Sequence, residues 1–334
     1  MEQQNHWLSI YLIYNEPWEK LLTECLNPFA KSIIEKSLAE RFFFIRYWEK
    51  GPHIRLRFEG KAEDLEKIKS LAAKVFCDYF IKYPSFREEP AWLKSLPEEQ
   101  QWFPDNSVRY VPYEPETQRY GGPVGLHIAE KQFQSSSSAV LSLIEDSQDW
   151  DYTSALGAAI QLHLSFAYAM GMDLDETLRF FTCTFEGWLP RAYYFFEKDI
   201  TAEELADRRE KTLEAFKSTF EKQKESLVPF HESFWQALLE NNEFEQEWLN
   251  KWIREMKARS NELKTAQQEN TLICPETFGE RYPADIPAAT RERWILYDSY
   301  IHMTNNRLGI TNRDEGYLGY IINESLKHLK KSMV

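Results

Sequence analysis

No segment of the chain strings together about 18 apolar residues, so the sequence predicts no membrane span. The first residues, MEQQNHWLSIYLIYNEPW, lack the positive, apolar and small-residue succession of a secretion signal. Cysteine is scarce: Cys25, Cys77, Cys183 and Cys274 lie far apart without a Cys-x-x-Cys pair, which argues against a zinc cluster. A chain of 334 residues needs no disulfide framework, and the four are expected as reduced thiols in the cytoplasm. Positive charge is short as well. With 40 Lys and Arg against 53 Asp and Glu, the net charge of -13 argues against broad nucleic-acid binding, which needs a basic surface. A basic pocket in such a chain would stand out. Also missing are a phosphate-binding loop, a dinucleotide glycine fingerprint and a Gly-x-Ser-x-Gly elbow.

What is present is a folded chain, with 43% hydrophobic and 15% aromatic residues. WLSIYLIY (7–14) reads as a buried strand, and residues 17–39 carry helical apolar spacing with a break near Pro28. RFFFIRYWEKGPHIRLRFEG (41–60) reads as a β-hairpin turning at EKGP, and AEDLEKIKSLAAKVFCDYFIKY as an amphipathic helix. Residues 84–123 are proline-rich and read as a long loop, the kind that is functional or disordered; its tyrosines and tryptophans speak against disorder. Beyond 124 the pattern is helical. SALGAAIQLHLSFAYAM suits a buried helix, Leu213, Phe216 and Phe220 form one stripe, and Phe244, Trp248, Trp252 and Met256 predict a long surface helix. WILYDSYIHMTNNRLGI reads as a helix ending near Gly309. The fold class is α+β: a mixed or antiparallel sheet with flanking helices over about 1–123, then a mainly helical part over about 124–334.

Three places could carry chemistry. In HIRLRF, strand alternation sends Ile54, Leu56 and Phe58 to one side and His53, Arg55 and Arg57 to the other. This is either an ordinary half-exposed strand with salt-bridged arginines or a rigid guanidinium pair prepared for a carboxylate or phosphate. YEPETQRYGG offers Glu116 and Arg119 beside Tyr120, and an exposed ion pair there contributes only about 0–1 kcal/mol. In IHMTNNRLG, His302 and Asn306 are four apart on one helical face with Arg307 beside them. A lone helical histidine is more often structural, yet histidine is the side chain suited to moving protons near neutral pH. No metal is expected, because no second histidine sits at ligand spacing from His302. His6, His127, His163, His231 and His328 have no nameable chemical partner.

Taken in order, FFIRY…GPHIRLRF, Y-x-P-E-x-x-RYGG and HM-x-x-NRLG resemble the three signatures of the C-terminal domain of class I lantibiotic dehydratases. The same domain occurs alone as thiopeptide-type bacteriocin biosynthesis proteins, and the length and opening strand suit such a stand-alone copy, a single domain over 1–334. The resemblance implies a lyase. Serine or threonine of a precursor peptide is first esterified with glutamate from glutamyl-tRNA by a separate glutamylating enzyme; this domain then expels glutamate, leaving dehydroalanine or dehydrobutyrine. The family's elimination residues fall on Arg55, Arg57, Glu116, Arg119 and His302, none of them replaced. His53, Tyr120, Asn306 and Arg307 are the expected substrate-binding neighbours. The five are expected to converge on one cationic pocket, since cations aimed at developing oxyanions suit the loss of a carboxylate. No cofactor is implied.

Two other readings stay open. Stand-alone copies resembling this domain include thiopeptide cyclases, which join two dehydroalanines in a formal [4+2] cycloaddition. A non-catalytic module capturing a leader peptide by strand addition is the alternative of another class. The expected partners are the precursor peptide and the glutamylating enzyme, with neither direct nucleic acid nor membrane, and exposed aromatics allow a homodimer.

Overall fold

The computed structural model describes residues 6–194, 200–274 and 282–332. The fold is α+β, a small antiparallel sheet near the N-terminus followed by a helical half. By internal contacts the chain divides into two compact units, Met1–Pro115 with Phe133–Trp150, and Glu116–Gln132 with Asp151–Val334.

The sheet unit is built on β1 (His6–Ile13), β2 (Arg41–Tyr47), β3 (His53–Gly60) and β4 (Ser107–Tyr110), antiparallel in the order β2-β3-β1-β4. The β2–β3 turn works because Lys50 and Gly51 both take positive φ, 59° and 95°, the conformation tight hairpins require. One sheet face presents Ile10, Leu12, Ile54, Leu56 and Phe58, all fully buried. Helices cover it. A short α1 (Glu19–Leu21) runs through a π-helical turn, Leu22–Leu26, into α2 (Asn27–Glu35), and Phe29 of α2 meets Phe58 and Phe76 edge-on. The expected break at Pro28 does not occur. Pro28 sits in the first turn of α2, where its fixed φ suits a helix and the π-helical turn accommodates the missing N–H. Phe76 belongs to α3 (Ala62–Lys82).

The other face overturns the half-exposed reading of β3. The strand is buried along nearly its whole length, His53 entirely so and Arg57 9% exposed. Residues directly opposite on neighbouring strands share a face. By register, Arg55 lies between Tyr11 and Ile45, and Arg57 between Ser9 and Phe43. Aromatic rings cover the polar side chains.

β4 was not legible as a strand. Its four residues lie between prolines with no alternation, and pairing with β1 fixes them. The preceding loop is ordered by Ser85, whose N–H donates to Asn106 Oδ1 (2.8 Å) and whose hydroxyl donates to Asp105. At the sheet's far edge, the Phe44 N–H donates to Ser137 Oγ at 3.1 Å. Ser137 is in α4 (Gly122–Asp146), whose first turns belong to the helical unit and whose later turns belong to this one.

The helical unit continues with α5 (Tyr152–Ala169), α6 (Leu174–Trp188), α7 (Pro190–Tyr193), α8 (Ala202–Leu239), α9 (Glu247–Gln268), α10 (Ala288–Leu308) and α11 (Asn312–Ser332). Side-chain caps start three of them: Asp151 on α5, Asp173 on α6, and a Thr201–Glu204 capping box on α8. The stripe Leu213–Phe216 packs on Phe185, Leu189 and Tyr193. α9 begins three residues later than the aromatic spacing suggests, because Asn250 bonds both the N–H and the C=O of Phe244 and holds it outside the helix. Nor is α9 a surface helix all round: Leu249, Trp252 and Met256 are buried. α10 ends at Gly309, φ 84°. α11 packs on α6 and α7 almost backbone to backbone. A Cβ on Gly319 would lie 3.1 Å from Cα of Phe185, and one on Gly316 would lie 3.4 Å from Cα of Leu189. No described helix is long and apolar enough to cross a membrane.

Candidate functional site

The sheet unit holds His53, Arg55 and Arg57 together on one face. Arg55 is clamped. Its guanidinium carbon lies 3.4 Å from the Tyr47 ring centre and 4.6 Å from that of Tyr11, and its Nε donates to His53 Nε2 at 3.0 Å. Glu49, the carboxylate beside it, is mostly exposed and 3.8 Å away, so that ion pair is weak. His53 is the hub of the clamp: Nδ1–H donates to the Gly51 carbonyl at 2.7 Å, and the ring stacks on Tyr11 at 4.8 Å. Burial, with Arg55 adding to it and the Gly51 bond opposing, lowers its pKa to about 4. His53 is therefore neutral near pH 7, with Nε2 free to accept from Arg55.

Arg57 is held likewise, 4.3 Å from the Tyr113 ring centre and 5.3 Å from that of Phe43, both rings braced by Trp7. A guanidinium between aromatic faces is fixed in direction by the rings. Two further cations share this face: Arg41, which lies opposite Glu59 and is ion-paired with it, and Arg109. Tyr11 pairs with Arg55 on one side and with Arg109 on the other, and Arg109 is exposed.

The helical unit holds Glu116, Arg119, Tyr120, His302, Asn306 and Arg307. Arg119 sits on the turn before α4, which Gly121 and Gly122 close at φ 83° and 84°, a region other residues rarely adopt. The buried Tyr120 anchors the turn by stacking parallel to Tyr300 of α10, ring centres 6.3 Å apart. Arg119 Nε donates to Ser299 Oγ at 3.4 Å, and its Nη1 reaches Glu116 Oε2 at 3.4 Å. Glu116 is largely exposed, so it steers Arg119 weakly.

His302 lies on α10 with its Nδ1 2.9 Å from Glu315 Oε1, and its Nε2 has no hydrogen bond among the described residues. The Trp188 ring lies tilted against it, centres 4.6 Å apart, and donates Nε1–H to Asp298 Oδ1 at 3.1 Å. Burial lowers the pKa of His302, and the charges of Arg119, Arg191 and Arg307 push the same way. Burial raises that of Glu315; Asp298 adds to the rise, while Arg191, Arg119 and the Asn305 bond oppose it. An ion pair and a pair of neutral groups are the two descriptions of this contact. The shifts favour the second, with no separated charge in the dry interior. One turn on from Glu315, Gly319 lets α11 lie close against Phe185 of α6.

Arg307 is fully buried and donates to the Met303 carbonyl at 2.8 Å; Asn306 is half-buried. His53, Tyr120 and Arg307 thus hold neighbours in place, while Arg119 and His302 keep exposed surface. His163, unassigned from sequence, pairs through Nε2 with Asn305 Oδ1 at 2.7 Å. Glu315, Asp298, Trp188 and Arg191 were missed. Asp298 lies four residues before His302, a readable helical neighbour, but the others reach the site only through tertiary packing.

The model of the family described as "Lantibiotic biosynthesis dehydratase C-term" matches residues 7–326. The chain belongs to that family. The subtilin biosynthesis protein SpaB of Bacillus subtilis is 31% identical over 175 residues, 52% of this chain but only 15% of SpaB. The pyridine synthase TbtD from thiomuracin biosynthesis shares the fold with a TM-score of 0.72, covering 96% of this chain and 98% of TbtD at 16% identity. TsrL matches with 0.69 over 98% and 96%, also at 16% identity. The tRNA-dependent lantibiotic dehydratase MibB from Microbispora sp. 107891 matches with 0.58 at 18% identity, covering 98% of this chain and 28% of MibB.

Proposed function

We propose that the protein eliminates glutamate from glutamylated serine or threonine of a precursor peptide. The observation that carries this is the His302–Glu315 pair set among arginines in a family named for lantibiotic dehydration. The reaction takes the α-proton of the modified residue, forms the Cα–Cβ double bond and breaks the Cβ–O bond, so that glutamate departs as a carboxylate. In the tautomer that donates Nδ1–H to Glu315 Oε1, the neutral imidazole can accept that proton at Nε2, and Glu315 then faces the imidazolium that forms. Arg119 offers a fork to the departing carboxylate. Arg55 and Arg57, clamped between rings, are assigned to the glutamyl group and the enolate oxygen. Glu116 orients Arg119, and His53, Tyr120, Asn306 and Arg307 keep these groups in register. The partners are the precursor peptide and a separate glutamylating enzyme, and the setting is the cytoplasm.

A second reading has its own support. The match to the pyridine synthase TbtD runs over nearly the whole of both chains, whereas that to MibB covers a fraction of the larger protein. In that reading the same cations polarise amide carbonyls while two dehydroalanines join. A purified glutamylated peptide and a separate peptide carrying preformed dehydroalanines distinguish them: released glutamate marks elimination, a macrocycle marks cycloaddition. Arg119→Ala and His302→Ala that still release glutamate at the wild-type rate would overturn the assignment.

A further inference from the structure

β4 has little strand character of its own, yet it is anchored at both ends and from one face. At its entry Asn106, φ 54°, accepts from the Ser85 N–H at 2.8 Å and donates to the Ser85 C=O at 2.9 Å. Tyr110, turned toward α3, donates its hydroxyl to the Lys69 C=O at 2.7 Å, and Lys69 Nζ lies 5.2 Å from its ring centre. The Val111 N–H extends the pairing to the Ser9 C=O at 3.4 Å. Between these anchors Arg109 lies directly opposite Tyr11, on the face that holds Arg55 and Arg57. Only β1 separates β4 from β3, so the main chains at Arg109 and Arg55 are about 10 Å apart. Arg109 is exposed and makes no hydrogen bond, ion pair or ring contact among the described residues. In a chain with 53 Asp and Glu against 40 Lys and Arg, a cation on a fixed strand without an acid beside it is out of pattern.

We propose that Arg109 is a further substrate-binding residue, a fork on a fixed strand that takes the carboxylate of the glutamyl group lying outside the ester bond. This deepens the elimination reading and rests on it. The chemistry asks for such a group. A glutamyl ester uses one carboxyl in the bond and keeps the other as a carboxylate, so recognising glutamate rather than its amide needs a cation for that second group. Of the four arginines on this face, Arg41 is ion-paired with Glu59, and Arg55 and Arg57 lie against rings. Arg109 is the exposed one of the four. Arginine suits the task because its planar fork meets both oxygens of a carboxylate. A strand pinned by its neighbours holds that fork more precisely than a loop would.

The rival is that Arg109 only guards the sheet edge, where a charge discourages pairing with another chain. That role leaves KM untouched and shows itself as self-association of Arg109→Gln. With a glutamylated peptide, Arg109→Gln is expected to raise KM roughly tenfold or more, one lost charge-assisted contact, with kcat and melting temperature unchanged. Arg109→Lys, which keeps the charge without the fork, should fall between. With the matching glutaminylated peptide, whose side chain ends in an amide, wild type and Arg109→Gln are expected to share one KM, because the partner carboxylate is gone. A wild-type KM in Arg109→Gln, or a rise that persists with the glutaminylated peptide, overturns the proposal while elimination stands. The companion measurement needs no turnover. The Arg109 Nε–H resonance, assigned by its loss in Arg109→Lys, is followed while glutarate is added at constant ionic strength. A saturable shift supports a carboxylate anchor; none overturns it. A wild-type protein that releases no glutamate sinks the elimination reading, and the titration then decides Arg109 alone.

Discussion

Replacing His53 with Leu tests whether the strand arginine is held by the bond described. Leucine fills similar space against Tyr11 but cannot accept from Arg55 Nε or donate to Gly51. A hydrogen bond to a charged group contributes about 1.5–3 kcal/mol, and both partners here are little exposed. The double-mutant cycle of His53→Leu and Arg55→Met, read by urea denaturation at pH 7.5, should therefore give a coupling of about 2 kcal/mol. The coupling also has a pH signature. The folded-state pKa of His53, about 4, lies below the ordinary 6.5, so the unfolded chain binds the proton more readily. Its contribution is fully present above pH 6.5 and is lost as pH falls toward 4. A shift of that size corresponds to about 3 kcal/mol across the window. His53→Leu should flatten this acid limb by about one proton, while the other histidines with lowered pKa values, His163 and His231 at about 4 and His302, keep their share. A coupling below ~0.5 kcal/mol, or an unchanged acid limb, would refute the clamp.

Three further outcomes are expected. Glu315→Gln removes the carboxyl paired with His302 and should slow glutamate release about 100-fold or more in a single-turnover assay, with KM little changed. Gly319→Ala forces a methyl to 3.1 Å from the Phe185 backbone, so α11 must shift; thermal unfolding should show a loss of about 1–3 kcal/mol, with activity falling alongside because Glu315 moves too. Tyr113→Leu takes away one of the rings flanking Arg57 and should destabilise by about 0.5–2 kcal/mol in denaturant, an effect abolished when Arg57 is already Met.

Much of the sheet was readable because its patterns are local. The aromatic and β-branched run WLSIYLIY and the alternation of HIRLRF marked β1 and β3, and Gly51 marked the turn. β4 was not, since four residues between prolines become a strand only by finding β1. Pro28 misled for a related reason: a proline breaks a helix only where its N–H is needed, and the π-helical turn moves that place. The polar face of β3 looked half-exposed because nothing in its own residues says that Trp7, Tyr11, Tyr47 and Tyr113 will cover it. The motif residues of the candidate site were legible through resemblance. Glu315 was not, as its place beside His302 comes from the packing of α11 on α10.

Arg55 sits with one tyrosine 3.4 Å from its guanidinium carbon and another at 4.6 Å. Both flat sides of the ion are thereby spoken for, and a visitor can approach only along its rim. Such a cation cannot swivel to follow a poorly aligned guest. That rim has the shape of a flat, two-oxygen group entering edgewise, and a lysine in the same seat would keep the charge without the defined angle.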